Sequence, residues 1–133
     1  VPDAAATEVA PGDSARAALA FLTEMSPDLR GAAILAGDGA VLAATGDEDE
    51  RWREDAAALF AAADAAGEEP VEQVHVATEQ GEVFGLRNEG LAAVAVTDRF
   101  ALASLMLFDL RATLRDLARG GGTAGPKDRG GAA

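Results

Sequence analysis

The sequence predicts an α+β domain: a five-stranded antiparallel sheet between helices, in the order α-β-β-α-β-β-β-α. Two observations lead there. Five short apolar segments are joined by the glycine-bearing connections Gly37-Asp38-Gly39, Glu79-Gln80-Gly81 and Asn88-Glu89-Gly90. Connections this short join antiparallel neighbours, because a parallel pair needs a crossover of a dozen residues or more. Three longer segments repeat their apolar residues at helical spacing. The small apolar strands 31–36 and 40–45 do not alternate cleanly with polar residues, so both sheet faces need cover, which three helices can supply.

Residues 1–13, with their prolines, small residues and acids, are expected to be disordered. Asp13 or Ser14 is placed to cap a first helix carrying Ala15, Ala18, Leu19, Leu22 and Met25 on one side, which Ser26-Pro27-Asp28 ends. A hairpin follows, because glycine and aspartate tolerate the positive φ of its turn. The central helix starts after Gly46, with Asp47 or Asp49 as its cap and Glu48 and Glu50 near the positive end of its dipole. Gly67 supplies its stop. The meander comprises 71–78, 82–87 and 91–97. Asp98 then caps a last helix from Arg99 to about Ala118, with Leu102, Leu105, Met106, Leu110, Leu114 and Leu117 along one side. Residues 14–119 form one domain, and 120–133 read as a flexible glycine-rich tail.

The central helix carries the most informative anomaly. Trp52, Ala56, Leu59, Phe60 and Ala63 form a stripe that can dock on a sheet. The opposite side, with Ala57, Ala58, Ala61, Ala62, Ala65 and Ala66, is apolar as well. A helix with so little polar surface has two neighbours, and alanines let a second helix approach closely. Against this stands composition alone, since alanine is abundant here and is the best helix former.

The pattern resembles the roadblock/dynein light chain superfamily, whose members share this element order. The match runs from about Ser14 to Arg119. It is closest over Leu29-Arg30-Gly31-Ala32-Ala33-Ile34-Leu35-Ala36-Gly37-Asp38-Gly39-Ala40-Val41-Leu42-Ala43-Ala44-Thr45-Gly46, which looks like the opening hairpin of that family. The segments 71–76, 81–87 and 91–96 are similar to its second half. The resemblance implies a profilin-like, roadblock architecture. It also implies a homodimer, or an assembly of dimers, in which central helices pair and the following strand extends the sheet between subunits. The residues that would make those contacts are Ala58, Ala62, Ala65, Val71, Gln73 and His75. Bacterial members of this kind are associated with small Ras-like GTPases.

Little in the chain suggests catalysis. It has no cysteine, which fits a reducing cytoplasm and excludes thiolate sites, and its single histidine excludes a paired-histidine metal site or a serine–histidine relay within one chain. No segment reads as a membrane span or signal peptide. A formal charge of −12 argues against a nucleic-acid partner. Gly37-Asp38-Gly39 lacks the third glycine of a dinucleotide fingerprint, and Gly122 to Lys127 lacks the ending of a phosphate loop. Asp47-Glu48-Asp49-Glu50 lacks the glycine and terminal glutamate of a calcium loop. No cofactor is expected. Arg51, Trp52, Arg53 and Glu54, in the first turns of the central helix, are the candidates for a partner-docking rim, with Trp52 better suited to a packing anchor than to a partner contact.

The sequence therefore reads as a non-catalytic adaptor or regulator of a small Ras-like GTPase. A small-molecule sensor or a purely structural scaffold on the same fold is the alternative. A sensor needs a cavity with convergent polar groups, whereas Ile34, Leu42, Leu59, Phe60, Val74, Val94 and Leu105 read as a filled core.

Overall fold

The computed structural model describes residues 11–120. The expected disordered segment and glycine-rich tail fall largely on residues 1–10 and 121–133, which lie outside the described residues. Eight elements follow in the expected order: α1 (Pro11–Met25), β1 (Leu29–Ala36), β2 (Val41–Ala44), α2 (Asp49–Ala65), β3 (Gln73–Ala77), β4 (Glu82–Asn88), β5 (Leu91–Thr97) and α3 (Ala103–Ala118).

The strands form one antiparallel sheet in the order β2-β1-β5-β4-β3. In the first turn Gly39 has a φ of +95°, and the Asp38 carboxylate accepts the Ala40 N–H at 3.0 Å, so both turn residues act as the sequence requires. The register between Ile34 and Leu35 shifts, leaving Leu42 as the extra residue of β2. The central pair β1–β5 sets alanines against alanine and valine, Ala32 opposite Ala95 and Ala33 opposite Val94. Successive side chains point to opposite faces, so this register divides the sheet's apolar residues into two cores.

One face carries Ala32, Ile34, Ala43, Phe84, Leu86, Ala93 and Ala95, packed under Ala15, Leu19 and Leu22 of α1 and Met106, Leu110 and Leu114 of α3. The other carries Ala33, Leu35, Ala92 and Val94 under Ala56 and Phe60 of α2. Helices thus cover both faces, two on one side and one on the other.

Several element ends differ from the sequence reading, each for a physical reason. α1 begins at Pro11, which suits the first turn because it has no N–H to satisfy. Asp13 therefore does not cap; it lies inside the first turn and pairs with Arg16, while Ser14 is buried. The residue before α2 is Glu48, with no side-chain cap bond, so neither Asp47 nor Asp49 caps; Asp49 and Glu50 sit in the first turn beside the helix dipole. α3 starts at Ala103, not Arg99. Phe100 has a φ of +67°, which breaks a right-handed helix, and its N–H is held by Glu82 Oε2 at 2.7 Å. Asp98 does not cap that helix; it pairs with Arg30 at 2.7 Å. Leu102, Leu105 and Met25 are exposed, so Leu105 is not part of the core.

Candidate functional site

The site develops around α2, because this helix alone covers its face of the sheet. Two glycines let it come close. A Cβ on Gly31 would lie 3.3 Å from the Trp52 ring, and one on Gly85 would lie 3.0 Å from Phe60 and 3.1 Å from Leu59. Trp52 is half-buried, and its indole N–H donates to the Thr45 carbonyl at 3.3 Å. It therefore anchors packing while its rim remains reachable.

The helix does not reach across the whole sheet. Val76, Val83 and Val96 form one row across β3, β4 and β5 on the α2 face, and Val76 stays exposed. Between that row and the helix runs an open apolar groove of about 580 Å3, lined by Trp52, Ala58, Leu59, Val83, Val94 and Val96, with Glu48, Arg51 and Asp55 at the rim. Ala58, Ala62 and Ala65 share an exposed side of α2. That side and the groove form a continuous apolar surface.

β3 lies next to β4, whose Val83 lines the groove. It pairs with β4 and, among the described residues, with no strand on its outer side. Its lead-in is fixed to the end of α2. The Val71 N–H donates to Asp64 Oδ1 at 2.9 Å, and the Arg87 guanidinium donates to the Val71 carbonyl at 2.9 and 2.6 Å and to Asp64 at 2.5 Å, lying over the Phe60 ring. The Arg87 hydrogen bond, with help from the Val71 N–H, lowers the Asp64 pKa.

The other face of β3 carries Gln73 and His75. Gln73 accepts a bond from Arg111 of α3 at 3.2 Å. His75 stacks on Phe84, with centroids 4.5 Å apart and planes 9° from parallel, and its Nε2 donates to Glu82 Oε1 at 2.6 Å. The second Glu82 oxygen holds Phe100, so one carboxylate links the edge strand to the start of the last helix. The His75 bond is the main cause lowering the Glu82 pKa, and partial burial opposes it.

The residues singled out by sequence thus divide. Ala58, Ala62 and Ala65 lie together on α2. Val71 is half-buried in the clamp, and the side chains of Gln73 and His75 face α3, away from the groove. Arg51 is exposed between Glu48 at 3.7 Å and Asp55 at 3.9 Å; Arg53 is paired with Glu50, which lowers the Glu50 pKa; Glu54 is exposed. The valine row has a sequence signal in Val74 and Val76 and again in Val94 and Val96, which recur at strand spacing. Among the described residues no group of three histidine, cysteine, aspartate or glutamate side chains could hold a metal ion, and no helix is long and apolar enough to cross a membrane.

Neither family models nor curated proteins match this sequence. Solved structures do. A roadblock/LC7 domain from Streptomyces avermitilis aligns over 78% of this chain and 91% of its own, with 19% identity and a TM-score of 0.62. The gliding protein MglB from Thermus thermophilus aligns over 87% and 94%, with 22% identity and a TM-score of 0.63. This chain carries the roadblock fold. A further MglB structure, in a tetrameric arrangement, covers 85% of this chain and 91% of its own at 22% identity and a TM-score of 0.64. In this fold the apolar groove lies on the α2 face and ends at Val83 of β4, beside β3, whose outer side pairs with no strand among the described residues.

Proposed function

We propose that this chain is a non-catalytic homodimeric regulator or adaptor that binds a small Ras-like GTPase and biases its nucleotide state. The observation that carries the dimer is the incomplete cover of the sheet by α2. The groove adjoins the exposed alanine side at Ala58 and ends at Val83 of β4, the strand beside the outer strand β3, and a second copy related by a twofold axis presents the same three features in return. A 17-residue helix is about 25 Å long at 1.5 Å per residue, so two such helices lying together, with an added strand pair, suit an interface of the usual size. In this arrangement β3 contributes its main chain, Val76 contributes from the groove side, and Gln73 and His75 flank the joint from the α3 side. Exposed strand edges are otherwise an aggregation risk, and pairing with a second copy removes it.

The roadblock resemblance supports the GTPase as partner. Arg51, Arg53 and Glu54 are exposed on the first turns of α2, where a dimer would present them twice. A regulator of this kind needs only different affinities for the two nucleotide states of its partner. The test is retention of proteins from native cell extract on the immobilised chain, with a GTP analogue and with GDP, followed by mass identification. A Ras-like GTPase held more strongly in one state is the expected result, and its hydrolysis and exchange rates with and without the chain then define the regulation. Retention regardless of nucleotide supports a scaffold, and the absence of a GTPase removes this reading.

A further inference from the structure

A second apolar groove lies on the opposite side of the sheet, between α1 and α3. It measures about 400 Å3. Ala17, Ala18 and Ala112 keep it shallow in side-chain bulk, and Phe21, Met25 and Phe108 stand around it at 62%, 55% and 64% exposure. Large apolar side chains are costly to leave in water, and three around one groove mark a binding surface.

The charges of this groove all have one sign. Its α1 wall is uncharged, whereas its α3 wall carries Asp109 and Asp116. Among the described residues, no cation pairs with either carboxylate. Arg111 and Arg115 project from the other side of α3 by helical spacing, and Arg111 is engaged with Gln73. Asp109 is partly desolvated, which raises its pKa, so a cation brought against it would offset that burial.

We propose that this groove docks an amphipathic helix of another protein, with an apolar face and arginine or lysine residues about two turns apart along its flank. The seven-residue interval from Asp109 to Asp116 spans about 10 Å of helix, which sets the spacing of those cations. A helix fits because alanines on both walls admit a third helix backbone, and the groove presents no free strand edge for an extended peptide. A second copy is disfavoured, since apposing this face on itself brings Asp109 and Asp116 against like charges. Residues 121–133 contain no large apolar side chain to fill the groove. An anionic membrane surface is disfavoured by the net charge of −12.

The test uses the full chain and a fluorescent 18-residue model helix with leucines on one face and lysines along its flanks, read by polarisation. The expected result is saturable binding at one peptide per chain. Ala17→Arg, at an exposed position, should weaken binding at least tenfold by obstructing the groove and adding like charge. The double variant Asp109→Asn with Asp116→Asn should weaken it about five- to tenfold and flatten its salt dependence, the order expected for two partly exposed ion pairs. A scrambled peptide of the same composition reports charge attraction alone. Equal binding of the scrambled peptide, absence of binding, or unchanged affinity in Ala17→Arg overturns the proposal. So does a doubling of molar mass in the free protein that Ala17→Arg abolishes, which would assign the groove to a second copy.

Discussion

The carboxylates of this protein differ in what ionisation does for the fold. Asp64 accepts from Arg87 and from the Val71 N–H, and its pKa is lowered in the folded chain. Its contribution is therefore complete above the unfolded value near 4 and is lost as pH falls through the lower folded value. Asp64→Asn should lower the thermal midpoint at pH 7, and the gap from the parent protein should close as pH falls below the unfolded value near 4 and through the lowered folded value. Thermal unfolding across that range checks this, and a gap that persists in acid would mean that the clamp works without the charge. Asp109 runs the other way: burial raises its pKa, so ionising it costs stability as pH rises. Single residues also show where sequence reasoning stops. His75 and Glu82 are seven positions apart and meet because the turn closed between Thr78 and Gly81 sets His75 opposite Phe84 in the β3–β4 register, a setting that the apolar period alone does not give.

At the level of elements, types and order were legible because period and turn chemistry are local properties. Glycine-bearing turns, strand-length apolar runs and helical stripes predict eight elements, and the structure contains those eight in that order. The start of α3 was not legible. Asp98 is a good cap in isolation, but Arg30 takes its carboxylate, and the left-handed Phe100 is fixed by Glu82 from another strand. The exposed Leu105 has a similar origin: a stripe shows that a helix side is apolar, not whether this chain covers it. The same ambiguity attends α2, whose second apolar side was read from its alanines and is exposed in the single chain. That element carries its own prediction. Ala58 is exposed and lines the groove, so a glutamate there is tolerated by a monomer but becomes a buried, unpaired charge when two α2 helices meet. Ala58→Glu, and Ala62→Glu beside it, should yield folded monomers by light scattering with far-UV circular dichroism unchanged. An unchanged dimeric mass would remove α2 from the interface.

Over the whole molecule, the two apolar grooves differ in the charges that accompany them, and ionic strength separates them. Each chain carries a formal charge of −12, so two copies repel at long range, and this opposes the proposed dimer, in which alanine and valine would meet. The rim of the α2 groove does not reverse this, because Arg51 is balanced within its own chain by Glu48 and Asp55. Raising salt from about 20 to about 300 mM shortens the screening length from roughly 20 Å to roughly 6 Å and should tighten the dimer several-fold. The α1–α3 groove opposes Asp109 and Asp116 to cations, so the model helix should dissociate over the same range. Sedimentation at several salt concentrations, alongside peptide polarisation, measures both slopes on one protein. A dimer weakened by salt would mean that Arg51 leaves its own carboxylates for those of the second copy. The stabilising contacts would then lie at the charged rim, and the alanine side of α2 would serve only to let the two helices approach.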